Sequence, residues 1–170
     1  DVLNQALQRL QLSESVRHNP PGEEVLIGLT APDDAAVIQV PPGQLMVHSV
    51  DFFPALVNDP FVFAQIVVKH GLNDLYAMGA TPQSVLAIAT LPHSIADKQA
   101  ETLFRLLPGL QNALLPAQVP LVGGHTTSGD QMASGLACHG WVAPYAVLRK
   151  QAMQSGSALI MTQPLGAAPL

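Results

Sequence analysis

Apolar positions along this chain switch between two periods, and the switches mark its elements. "DVLNQALQRLQL" (1–12) places Val2, Leu3, Ala6, Leu7 and Leu10 at helical spacing. "HNPPGEE" (18–24) reads as a loop, because Pro-Pro-Gly cannot continue a helix or a central strand. "EVLIGL" (24–29), "AAVIQV" (35–40) and "QLMVHSVDF" (44–52) read as three short strands, the last two joined by the turn "PPGQ". Residues 60–78 predict a helix with Asp59 as N-cap, Pro60 in the first helical position and Gly79 as the stop. "QSVLAIATL" (83–91) is a strand. Residues 94–115 form a second helical pattern that Pro108-Gly109 should kink or interrupt. "VPLVGGHTTSGD" (119–130) reads as a strand entering a Gly-rich loop, and "MASGLACHGWVA" (132–143) as another strand. Tyr145–Met153 reads as a short helix and 157–166 as a last strand. Strands follow one another without regular βαβ alternation, so the fold class is α+β with a mostly antiparallel sheet packed on helices.

Composition narrows the function. Of 170 residues, 48% are hydrophobic and only 11% charged, about half the usual charged share, which predicts a large buried surface shared with another subunit. No apolar run reaches the roughly 18 residues that span a bilayer. A lone cysteine, Cys138, rules out an internal disulfide framework, and its apolar strand makes it a core thiol. That fits a cytoplasmic location. Net charge is −5 with seven Lys and Arg, which argues against nucleic acid as a partner. An anionic ligand would have to be held by metal ions and backbone N–H groups.

Four carboxylates stand out. Asp33 and Asp34 enter an apolar strand in "TAPDDAAV", Asp51 ends one in "VHSVDFF", and Asp74 lies in the 60–78 helix. Asp74 shares a helical face with Val67, His70, Gly71 and Met78, while Val68, Leu72 and Leu75 make the opposite face apolar too. That helix is therefore expected to be buried on most sides, where an unpaired carboxylate costs several kcal/mol. Each acid alone fits a structural role: a turn cap for Asp33 or Asp34, a loop bond for Asp51, a Lys69 or His70 pair for Asp74. Together they are the oxygen ligands that hard Mg²⁺ prefers, and the metal would supply positive charge for a polyphosphate. "VGGHTTSG" (122–129) could form an anion nest through Gly123-Gly124, with Thr126 and Thr127 as donors and His125 beside a phosphate, or be an ordinary strand and turn. His48, His93 and His139 show no zinc spacing.

"DDAAV", "VDFF", "NDPFVFAQIVVKHGLNDLYAMGATP", "VGGHTTSG" and "LIMTQPLGA" together resemble the selenophosphate synthetase (selenide, water dikinase) family, over nearly the whole chain and in order. That family belongs to the PurM-like superfamily, with thiamine-monophosphate kinase as the alternative and a non-catalytic dimerisation and nucleotide-binding module as a third reading. The resemblance implies an ATP-dependent phosphotransferase that makes selenophosphate, AMP and phosphate from selenide, ATP and water. It implies Mg²⁺ on Asp34 and Asp74, and ATP contacts from Ala31, Pro32, Asp33, Asp51 and Asp74. It further implies that Gly124, His125 and Thr126 reach ATP across a homodimer whose sheets pair into a barrel. Residues 1–156 would be the N-terminal ATP-binding domain and 157–170 the start of a connection to a C-terminal domain. The family's Gly-rich Cys/Lys catalytic motif has no match here, and Pro32 stands where a basic residue is common. The chain alone is therefore expected to be inactive. The "GGHTT" form also resembles versions fused behind a flavoprotein (pyridine-nucleotide-disulfide) oxidoreductase domain.

Overall fold

The computed structural model describes residues 25–27, 37–149 and 153–161. The helix expected at 1–12, Ala31 to Asp34, and residues 162–170 lie outside these described residues.

Strands β1 (Val25–Ile27) and β2 (Val37–Ile38) pair antiparallel as a small separate sheet. The expected turn follows, with Gly43 at φ 77° and the Gln44 N–H on the Pro41 carbonyl. β3 (Leu45–Pro54), helix α1 (Pro60–Ala77), β4 (Thr81–Pro92), helix α2 (Ala96–Leu114), β5 (Leu121–Gly129) and β6 (Ala133–Val142) come next. The four longer strands form one sheet in the order β3-β6-β4-β5. β6 pairs antiparallel with both β3 and β4, while β4 and β5 run parallel because α2 carries the chain between them.

The termini of α1 follow from its sequence. The Asp59 carboxylate accepts from the N–H groups of Phe61 (2.8 Å) and Val62 (3.1 Å), and Arg105 of α2 donates to its other oxygen at 3.0 Å. The Val62 bond, with Phe61 and the Arg105 charge, holds Asp59 below its usual pKa. At the other end Gly79 turns left-handed (φ 74°). Its N–H reaches the Tyr76 carbonyl and that of Ala80 reaches Leu75, the double bond of a Schellman stop.

Phe63, Val67 and Leu75 of α1, Leu103, Leu106 and Leu110 of α2, Val85 and Leu91 of β4, and Leu136 of β6 make one core between the helices and one face of the sheet. Helix α2 runs unbroken through Pro108, contrary to the interruption its Pro-Gly pair suggests. The pair serves packing instead: a Cβ on Gly109 would fall 2.4 Å from the Phe61 carbonyl oxygen and 2.8 Å from the Ala64 Cβ. Burial against α1 outweighs the one hydrogen bond that Pro108 removes.

Three further expectations change. The helix expected at 145–153 is one 3₁₀ turn, Pro144–Ala146. Beyond it the Leu148 N–H bonds the Met78 carbonyl at 3.1 Å, so the backbone closes the end of α1 rather than a helix of its own. Residues 157–161 form no strand, having no ladder partner among the described residues, and Leu159 and Ile160 stay exposed. Helix α1 is not buried on most sides: Lys69, His70, Asn73, Asp74, Tyr76 and Ala77 are exposed, and only the other flank enters the core.

Gly109→Ala should invert the usual helix rule. In an open helix this change stabilises by about 1 kcal/mol. Here the clash should cost about 1–3 kcal/mol, read as a lower midpoint in urea unfolding.

Candidate functional site

Strand β3 alternates its side chains between two faces. Val47, Ser49, Asp51 and Phe53 turn toward α1, while Met46, His48, Val50 and Phe52 turn outward and are exposed. Helix α1 lies along β6 and β3. A Cβ on Gly71 would come 3.1 Å from the Cys138 sulfur, so glycine is what lets the helix settle onto β6. That close seat brings the last turns of α1 over Ser49 and Asp51.

At this seam the Ser49 hydroxyl donates to Asp74 Oδ2 at 2.6 Å. His70 Nε2 stands 3.9 Å from Asp51 Oδ2, and the edge of its ring meets Phe53 with centroids 5.3 Å apart. Ser49 and Asp51 are two residues apart on one strand face, about 7 Å between their Cα atoms. Both carboxylates act on the Cys138 thiol below them. Burial first, then the Asp51 and Asp74 charges, pushes that thiol up to about 12. Cys138 is thus a buried, protonated core thiol with no nucleophilic character.

The predicted charge at position 74 is present, but its setting differs. Asp74 is exposed, and its partner is Ser49 rather than a neighbour on its own helix. Asp74 also sits in the last turn of α1, at the negative end of the helix dipole, and no basic residue occupies that turn. A carboxylate there favours an added cation. Asp51 and Asp74 offer hard oxygen donors of the kind Mg²⁺ takes, so the chemistry of the set fits that ion. Among the described residues no cluster of three His, Cys, Asp or Glu side chains could hold a metal by itself. Asp33, Asp34, Ala31 and Pro32 lie outside the described residues.

"VGGHTTSG" is strand, not loop. β5 carries it paired with β4, and the positive-φ glycines among the described residues are Gly43, Gly79 and Gly156. No nest forms at Gly123-Gly124. Gly124 serves close approach instead, since a Cβ there would lie 2.0 Å from the Ala87 carbonyl oxygen. His125 pairs with Ile88 and turns outward, whereas Thr126 pairs with Ala89 on the helix-facing side. β3 and β5 are opposite edges of the sheet, three strand spacings or roughly 14 Å apart. One chain therefore does not bring Gly124, His125 and Thr126 to Asp51 and Asp74.

One contact had no signal in the sequence. His48 and His139 are 91 positions apart, yet the β3–β6 register sets them opposite each other with Nδ1 atoms at 2.7 Å. Burial first, then the His48 charge, lowers the His139 pKa.

Residues 32–142 match the family described as AIR synthase related protein, N-terminal domain. Among curated proteins the chain is 35% identical over 147 residues to a selenide, water dikinase of Pelobacter propionicus, covering 86% of this chain and 42% of that protein. It is 38% identical over 145 residues to the selenide, water dikinase of Myxococcus xanthus, covering 85% and 40%. The chain thus spans about two fifths of the length of these relatives. Among solved structures it resembles a thiamine-monophosphate kinase from Stenotrophomonas maltophilia (TM-score 0.65, 24% identity, 85% of this chain, 44% of that one). It also resembles a hydrogenase maturation protein HypE in complex with ATP (TM-score 0.60, 19% identity, 82% and 41%). At those identities the structural likeness establishes the fold.

Two outcomes follow from the geometry. Gly124→Ala should destabilise the protein, while Gly123→Ala, whose Cβ meets only the flexible end of Leu86 at 3.1 Å, should be much milder in a thermal melt. The second concerns acid. His139 titrates from 6.5 when unfolded and lower when folded, so the unfolded chain binds more protons and stability falls as pH drops through and below 6.5. His139→Gln should therefore flatten the fall in Tm between about pH 7 and pH 5.

Proposed function

The chain belongs to the AIR synthase related family through its N-terminal domain, and from that premise we propose that it is the ATP-binding half of a selenophosphate synthetase. The observation that carries this reading is the 35–38% identity to selenide, water dikinases over 85% or more of the chain. In that role the full-length protein converts selenide, ATP and water to selenophosphate, AMP and phosphate. Residues 1–156 act as the nucleotide-binding domain, and 157–170 lead to a second domain.

Asp74 and Asp34 would hold Mg²⁺, and Asp51 would contact the nucleotide with Ala31, Pro32 and Asp33. When bound, the metal neutralises charge on the transferring phosphoryl group. The chain's own groups orient it: Ser49 fixes Asp74, and His70 lies beside Asp51. Gly124, His125 and Thr126 act from a second copy. Support for a homodimer comes from their place on the far edge of the sheet, and from the exposed apolar strip of Met46, Val50 and Phe52 on β3, the other edge strand among the described residues. Pairing of the two sheets into a barrel would cover both features. Among the described residues no helix is long and apolar enough to cross a membrane. In this reading the protein works in the cytoplasm, with or without a fused flavoprotein domain.

A PurM-like kinase such as thiamine-monophosphate kinase is the second reading, since it shares this fold. Products separate the two. AMP and phosphate from the full-length protein with selenide support the dikinase, whereas ADP supports the kinase. No turnover of either kind leaves a non-catalytic nucleotide-binding module. The 170-residue chain alone should show no selenide-dependent ATP cleavage. Asp74→Asn should weaken Mg·ATP binding at least tenfold in calorimetry while shifting Tm by no more than a few degrees, since Asp74 is exposed.

A further inference from the structure

Taking Asp74 as a cation ligand, as above, we propose that Ser49 is the positioning residue that aims its carboxylate and biases the site toward a small octahedral cation. Asp74 stands in the exposed last turn of α1, where a carboxylate has free choice of rotamer. The Ser49 hydroxyl removes that choice. Its bond to Oδ2, at 2.6 Å, is a short hydrogen bond to an ionised acceptor, about twice as strong as a neutral one.

The donor is itself held. Ser49 is half-buried in β3, and its register partner is Cys138 in the next strand, which is buried under α1. The bond thus spans the helix–strand seam and fixes Asp74 relative to Asp51, two residues further along the same strand face. It also divides the labour of the two carboxylate oxygens. Oδ2 is occupied by the hydroxyl, while Oδ1 has no partner among the described residues. A carboxylate tied in this way offers one oxygen well and two poorly. Mg²⁺ takes single oxygens in a strict octahedron, whereas Ca²⁺ readily takes both oxygens of one carboxylate. Ser49 therefore acts on which cation is held as well as on how tightly.

The test uses the isosteric pair Ser49→Thr, which keeps the hydroxyl, and Ser49→Val, which lacks it, in the full-length protein with Asp74→Asn as reference. Mn²⁺ with ATP is followed by electron paramagnetic resonance, and Mg²⁺ and Ca²⁺ are then titrated in as competitors. Ser49→Val should raise the Mn·ATP dissociation constant about tenfold and shift the Ca²⁺/Mg²⁺ preference several-fold toward Ca²⁺. Ser49→Thr should stay within about twofold of the unaltered protein on both. Should Ser49→Val melt early, Ser49→Ala is read in its place. Equal binding by the Val and Thr variants, or an unchanged cation preference, would overturn the role of Ser49 while leaving Asp74 as a ligand. Unaltered Mn·ATP binding by Asp74→Asn would overturn the reading of Asp74 itself.

Discussion

How closely α1 can lie on β6 decides the rest of the site. A Cβ at position 71 would come 3.1 Å from the Cys138 sulfur, so glycine lets the helix sit close to β6. At that separation Asp74 reaches Ser49 and His70 approaches Asp51. An added Cβ at position 71 would ask the Cys138 side chain to give by a few tenths of an ångström. The same seat buries Cys138 and keeps it protonated beneath two carboxylates. Packing and charge act together on that thiol: burial first, then the two carboxylates, raise its pKa to about 12.

The sheet divides the candidate residues into two groups. The Asp51 and Asp74 group sits at the β3 edge on the helix side, and His125 at the β5 edge on the other face. Strand order alone separates them by roughly 14 Å. The homodimer proposed above would let two copies each contribute an edge to one nucleotide. The exposed apolar side chains of β3 and the scarcity of charge along the whole chain point the same way, since both describe a surface made to be covered.

Electrostatics suits the cation proposed for this rim. Few Lys or Arg residues exist to oppose a polyphosphate, and none lies in the last turn of α1. That turn already carries the negative end of a helix dipole and adds Asp74 to it. An exposed carboxylate can tolerate such a place because water screens it, but the place attracts positive charge. Burial, the cost first expected for Asp74, is not what singles it out. Its geometry is.

By itself the sequence determined the parts that depend on a few neighbouring residues. Asp59, Pro60 and Gly79 bound α1 because capping, a fixed φ and a left-handed stop act within one turn. The strand cores of β3, β4 and β6 were legible from apolar periodicity, and Asp51 and Asp74 from their odd chemistry. Tertiary structure decided everything that depends on partners distant in sequence. It made "VGGHTTSG" a strand, because β4 supplies a parallel neighbour against which Gly124 can pack. It carried α2 through Pro108, because contact with α1 outweighs one lost bond. It exposed Asp74 and gave it Ser49, and it set His48 against His139, through a register that no local spacing encodes. The physical reason is range. Backbone preferences act over three or four residues, whereas register and helix seating are set by contacts that exist only once the core has closed.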